Sequence, residues 1–94
     1  MNIVFDSTAI FDEKSQAIKF AGRVIDSHGI GRFVICQVPR AVLVERFKLH
    51  EPGAQTLLEC YGAAKAEIDA LAEKKAKLGD YRPVITAEEF CDGR

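Results

Sequence analysis

The chain has 94 residues, of which 48% are hydrophobic and 29% charged, and its formal net charge is −1. That length fits one domain around one modest core and leaves little space for a large enclosed active site. Leu, Ile, Val and Phe supply 27 of the 94 residues, too many for a disordered chain, and the near-neutral total argues against a strongly basic nucleic-acid binder.

Residues 2–5 are β-prone and Asp6-Ser7-Thr8 reads as a turn, which predicts a short arm whose Ile10 and Phe11 tuck against the body. Residues 16–25 then repeat with a period of two. Ile18, Phe20, Gly22 and Val24 share one face, and Lys19, Ala21 and Arg23 share the other, as in a half-buried strand. Gly22 on the apolar face marks a bulge or a close approach by another element. Asp26-Ser27-His28-Gly29-Ile30-Gly31 is rich in turn formers, and residues 32–38 alternate again. Val34, Cys36 and Val38 oppose Phe33, Ile35 and Gln37, so the two runs read as an antiparallel hairpin. The second run is apolar on both faces, which suits a central strand. Pro39 ends it, and residues 40–47 fit a short helix with Leu43 and Phe47 at i and i+4.

Beyond the break at Leu49-His50-Glu51-Pro52-Gly53, residues 54–78 carry the clearest pattern in the chain. Leu57, Tyr61, Ala64, Ile68, Leu71 and Leu78 form one stripe, which predicts a single amphipathic helix of about 25 residues, ~37 Å long. Gly79 stops it. Val84-Ile85-Thr86 reads as a short final strand, and Thr86 with Glu89 as a capping box that opens one helical turn pinned by Phe90. Residues 91–94 are expected to fray.

This layout resembles a small bacterial family, domain-of-unknown-function family 1488, over roughly residues 2–90. The residues that carry the resemblance are Ile3-Val4-Phe5 and Phe11-Asp12 at the start, and Ala17-Ile18-Lys19-Phe20 opening the first long strand. Val34-Ile35-Cys36-Gln37-Val38 precedes the small helix, Arg46-Phe47 closes that helix, and Ile85-Thr86-Ala87-Glu88-Glu89-Phe90 completes the match. The chain departs from the family in a longer His28-Gly29-Ile30-Gly31 turn. The resemblance implies a small α+β fold. It carries over no activity and no catalytic residue.

The residues themselves offer little chemistry. His28, His50, Cys36, Cys60 and Cys91 lack the close pairs that a zinc site uses, so no metal and no cofactor is expected. Cys36 between Val34 and Val38 reads as buried and inert. Adjacent carboxylates such as Glu88-Glu89 are not the separated pairs of acid–base catalysis, and no phosphate loop or nucleophile elbow occurs. The reading is therefore not an enzyme. Three cysteines without a Cys-x-x-Cys pair suit reduced thiols in the cytoplasm. No apolar stretch approaches the ~20 residues of a membrane helix, and the start lacks the basic n-region of a signal peptide.

Charge is uneven along the chain. Residues 14–48 hold seven basic groups against two acidic, and residues 51–94 hold six basic against nine acidic. Lys19, Arg23 and Arg32 projecting from the hairpin beside Phe33 are the candidate anion or single-stranded nucleic-acid surface. The leading expectation is a non-enzymatic interaction or regulatory module whose partner is a second copy or another protein, because a helix longer than its sheet leaves apolar surface over. The predicted fold is α+β: one domain in which a small antiparallel sheet, a central hairpin plus short terminal strands, packs on one long helix and one short helix. Its predicted core is Ile18, Phe20, Val24, Val34, Cys36, Leu43, Phe47, Leu57, Tyr61, Ile68, Leu71 and Ile85.

Overall fold

The computed structural model describes residues 2–25 and 31–91. Of the turn read at residues 26–31 and the fraying expected at residues 91–94, residues 26–30 and 92–94 lie outside the described residues, while Gly31 opens a strand and Cys91 closes a helix. Three antiparallel strands, β1 (Asn2–Asp12), β2 (Ala17–Ile25) and β3 (Gly31–Pro39), form one sheet in the order β1-β2-β3. Helices α1 (Arg40–Phe47), α2 (Ala54–Ala63), α3 (Lys65–Lys77) and α4 (Ala87–Cys91) follow. The fold is α+β, with the helices gathered on one face of the sheet.

The hairpin register follows the alternation. Ile18 stands opposite Val38, Phe20 opposite Cys36 and Gly22 opposite Val34, so the apolar sides of both strands meet the helices. Ten of the twelve predicted core residues are buried, and Phe47 and Leu71 are half-buried against them. Ala17, Val38, Val42, Ala64, Ala72, Ala76 and Phe90 complete the buried hydrophobic set.

Five expectations need correction. The amino-terminal arm is an unbroken strand of eleven residues. Phe5 pairs with Gly22 and Ala9 with Phe20, so Asp6, Ser7 and Thr8 lie opposite the single residue Ala21. This is a wide bulge, and the turn formers there displace the strand without reversing it. Phe11 does pack on the core, but Ile10 has outward parity and is 60% exposed.

The central strand is β2, not β3. β3 nonetheless has a partner on its other side. The amides of Ile35 and Gln37 donate to the carbonyls of Tyr81 and Pro83, and Ile85 N–H donates to Gln37 O, at 2.9–3.0 Å. The predicted final strand is thus reduced to a parallel bridge between Gln37 and Val84, because Pro83 has no N–H to extend a ladder.

The long helix is interrupted at Ala64, where ψ reaches 14°. Ala64 N–H is shared between the carbonyls of Cys60 and Tyr61, and Ile68 N–H then resumes the ladder on Ala64 O. Tyr61, Ala64 and Ile68 are all buried, so the stripe runs through the break without changing face. Beyond it the stripe steps by four, through Ala72 and Ala76, and leaves Leu78 82% exposed. Finally, each hairpin strand has nine residues, about 30 Å. The sheet is therefore nearly as long as the helical pair, and the helical stripe is covered through Ala76.

Side chains fix the ends of these elements. The turn between β1 and β2 is held by Asp12, whose carboxylate accepts from Lys14 N–H and from the Ser15 hydroxyl at 2.8 Å. Arg46 on α1 grips both carboxylate oxygens of Glu67 on α3 at 3.0 Å, donates to Phe90 O on α4 and lies 4.5 Å over the Phe90 ring. One guanidinium thus ties three helices together, which its planar fork can do and an ammonium cannot.

Candidate functional site

The helices cover one side of the sheet and leave the other bare among the described residues. Register decides which side chains stand there, since directly paired residues point the same way. Arg23 pairs with Val4 on one side and Phe33 on the other, Lys19 with Ile10 and Gln37, and Ile25 with Asn2 and Gly31. Ala21 pairs with Ile35, next to the bulge. Phe33 is 67% exposed, Val4 50% and Ile25 48%. Of the six large exposed hydrophobic residues among those described, Val4, Ile10, Ile25 and Phe33 share this face.

Lys19, Arg23 and Phe33 are therefore brought together. Arg32 is not. It pairs with Val24, whose side chain is buried on the helical side, and its guanidinium lies 5.7 Å over the ring of Tyr81. Tyr81 in turn packs on Val24, Val34 and Ala76. Placing Arg32 with Arg23 overlooked the alternation that puts residues 32 and 33 on opposite sides.

Electrostatics on the face are simple. Lys19 Nζ is 2.7 Å from Asp12 Oδ2. That bond, with the bonds from Ser15 and Lys14, holds the Asp12 carboxyl down to about 2. Arg23 has no ion pair among the described residues. Asp6, in the bulge, has none either. A shallow, mainly apolar groove of about 380 Å³ runs past the bulge between Asp6, Thr8, Ile10, Lys19, Ala21 and Ile35.

Of the three cations named from the sequence, Lys19 and Arg23 stand on this face, and the aliphatic residues around them are not among the residues named. Their signal was present: Ile25 and Ile35 carry the parity of Arg23 and Phe33, and an outward row that is itself apolar is unusual unless something covers it.

Elsewhere the chemistry is quiet. Burial pushes the Cys36 thiol up to about 12 and also raises Cys60, so both stay protonated at neutral pH. Tyr61 Oη and Asp69 Oδ1 are buried without a hydrogen-bond partner, and burial raises the Tyr61 phenol. Among the described residues no three His, Cys, Asp or Glu side chains gather as metal ligands, and no helix is long and apolar enough to cross a membrane.

No family model matches the sequence, and no curated protein matches it. Among solved structures, it is similar to the crystal structure of a protein of unknown function from Shewanella loihica, a member of domain-of-unknown-function family 1488. The two share 20% identity and superpose with a TM-score of 0.76 over 90% of this chain and 94% of that one. At that identity the likeness concerns the fold. In architecture, then, this chain resembles a domain-of-unknown-function 1488 protein along nearly its whole length.

Proposed function

We propose that this chain is a non-enzymatic interaction module and that it binds a partner protein with the bare face of its sheet. The observation that carries the reading is the grouping of Val4, Ile10, Ile25 and Phe33 on that face, around Arg23. Single exposed hydrophobic residues are ordinary on a protein surface, whereas a contiguous set on a rigid face marks a contact. An aromatic and an arginine side by side, with aliphatic neighbours, have the composition of an interface centre.

A second reading, single-stranded nucleic acid, rests on the pairing of Arg23 with Phe33. Stacking platforms need several rings and an uncompensated basic track. This face offers one ring and two cations, one of them already held by Asp12. Protein contact is the better fit.

The test is affinity capture from the native cell with three baits: the wild type, a Phe33→Asp/Ile10→Asp variant, and a Leu78→Asp control on the opposite side. Proteins lost by the sheet variant and kept by the control support the reading. The same captured set with all three baits overturns it, and binding of single-stranded oligonucleotides that persists in physiological salt favours the second reading.

A further inference from the structure

We infer that the partner seated on this face is a second copy of the chain, packed sheet against sheet. The inference rests on the reading of the bare face as a contact surface and names its occupant. Three observations carry it.

First, growth of the sheet sideways is hindered at both edges, along residues 35–37 of β3 and at the bulge of β1. Residues 81–85 occupy the β3 edge, and the bulge at residues 6–8 breaks the β1 edge and sets the charged Asp6 in it. Bulges and edge charges are the usual devices against strand addition. What remains available is the face.

Second, the face complements itself. Arg23 lies on the central strand without an acidic partner among the described residues, and Asp6 lies on the neighbouring strand, two residues past Val4, the residue paired with Arg23. A two-fold axis in the plane of contact, perpendicular to the strands and passing between the Arg23 and Ala21 rows, carries each Arg23 to the Asp6 side of the other copy. The same operation sets each Phe33 on the other copy's Ile35. Every such contact occurs twice, as an isologous interface requires, and aligned sheets pack face to face in this way. A net charge of −1 per copy opposes the pairing only weakly.

Third, the area fits a reversible dimer. Three strands ~4.8 Å apart and ~30 Å long give a flat footprint of about 430 Å². That is about half of the ~800 Å² per partner buried in a standard stable complex. The pairing should therefore dissociate on dilution.

Sedimentation velocity from micromolar to half-millimolar protein tests this, with the wild type, Phe33→Asp, Arg23→Asp, Asp6→Arg and the Arg23→Asp/Asp6→Arg double variant. Circular dichroism verifies that each variant is folded. The wild type is expected to pass from monomer to dimer as concentration rises. Phe33→Asp and each single charge reversal should weaken the dimer about tenfold or more, a change of about 1.4 kcal/mol, and the double reversal should restore it. A wild type that stays monomeric at half-millimolar overturns the second copy as occupant; if the capture experiment still finds a protein that depends on this face, the interaction reading survives that result. A dimer untouched by every variant overturns the sheet-to-sheet contact, and the capture experiment then decides the interaction reading on its own.

Discussion

Gly22 and Phe5 show how much one cross-strand pair can hold. Gly22 is buried in the middle of the central strand, and a Cβ built on it would lie 2.5 Å from Phe5 Cδ1. The Phe5 ring therefore covers the glycine and meets Phe20 edge-on at 5.6 Å, an aromatic laid across a weak point in a sheet. Gly22→Ala should cost about 1–3 kcal/mol, as overpacking does. Urea denaturation of Gly22→Ala, Phe5→Leu and the double variant should show the two costs to be non-additive, with the double recovering part of the loss. Asp12 gives a second residue-scale expectation. Its carboxyl is held low by Lys19 and Ser15 in the folded chain and returns to the ordinary value of about 3.9 when unfolded. The folded state thus binds this proton less readily, so the contribution is complete above about pH 4 and is lost as pH falls toward 2. Acid titration of stability should be shallower over that window in Asp12→Asn. The alternation in the sequence puts Gly22 on the core side and marks it as a bulge or a close approach, and the structure shows the close approach. The alternation does not name Phe5, because the bulge that brings Phe5 into register uses the same Asp, Ser and Thr that make turns.

Among the elements, α4 is the smallest and depends most on Thr86, the residue just before it. Glu89 N–H donates to Thr86 Oγ1, and Glu89 Oε1 accepts from Thr86 N–H and from the Thr86 hydroxyl, at 3.0–3.2 Å. The same carboxylate lies 2.9 Å from Lys75 Nζ. Burial pushes the Glu89 carboxyl up, but these bonds outweigh it and hold it below its usual range. Thr86→Ala should lower stability by about 1 kcal/mol, measured by chemical denaturation, and should free Phe90 from its place on the core. This box was legible in the four letters of its motif. The break at Ala64 was not, since alanine is the strongest helix former and the stripe continues across it. The β3 edge makes a further expectation possible. In hydrogen exchange, Ile35 and Gln37 amides should be protected by residues 81–85. The Phe33 amide points to the same side beyond the reach of those bonds and should exchange quickly. Local alternation revealed the strand but not its parallel neighbour, because a contact across about 45 residues has no local signature.

At the scale of the molecule, the uneven charge of the sequence partly cancels on folding. Arg46 from the basic stretch is held by Glu67 from the acidic one, while Arg23 stays on the bare face. Fold class was legible because each period pointed to one side of one core, and ten of twelve chosen residues are buried there. The binding face was half legible. Periodicity separates two sides of a strand, yet only the three-dimensional packing shows which of two apolar sides the helices take. The parallel bridge between Gln37 and Val84 also sets an order of events during synthesis. The three strands are complete by residue 39, but β3 has a bare backbone edge until residues 81–85 leave the ribosome, more than forty residues later. A growing chain passes through an interval in which this strand, apolar on both faces, can be extended by any neighbour. A chain ending at residue 80 preserves that interval permanently, and also lacks Ile85 and Phe90 from the core. It should scatter light within hours at concentrations where the full chain stays clear. Residues 81–85 thus close this edge from within the same chain, and their arrival marks the moment when crowded neighbours cease to be a hazard there.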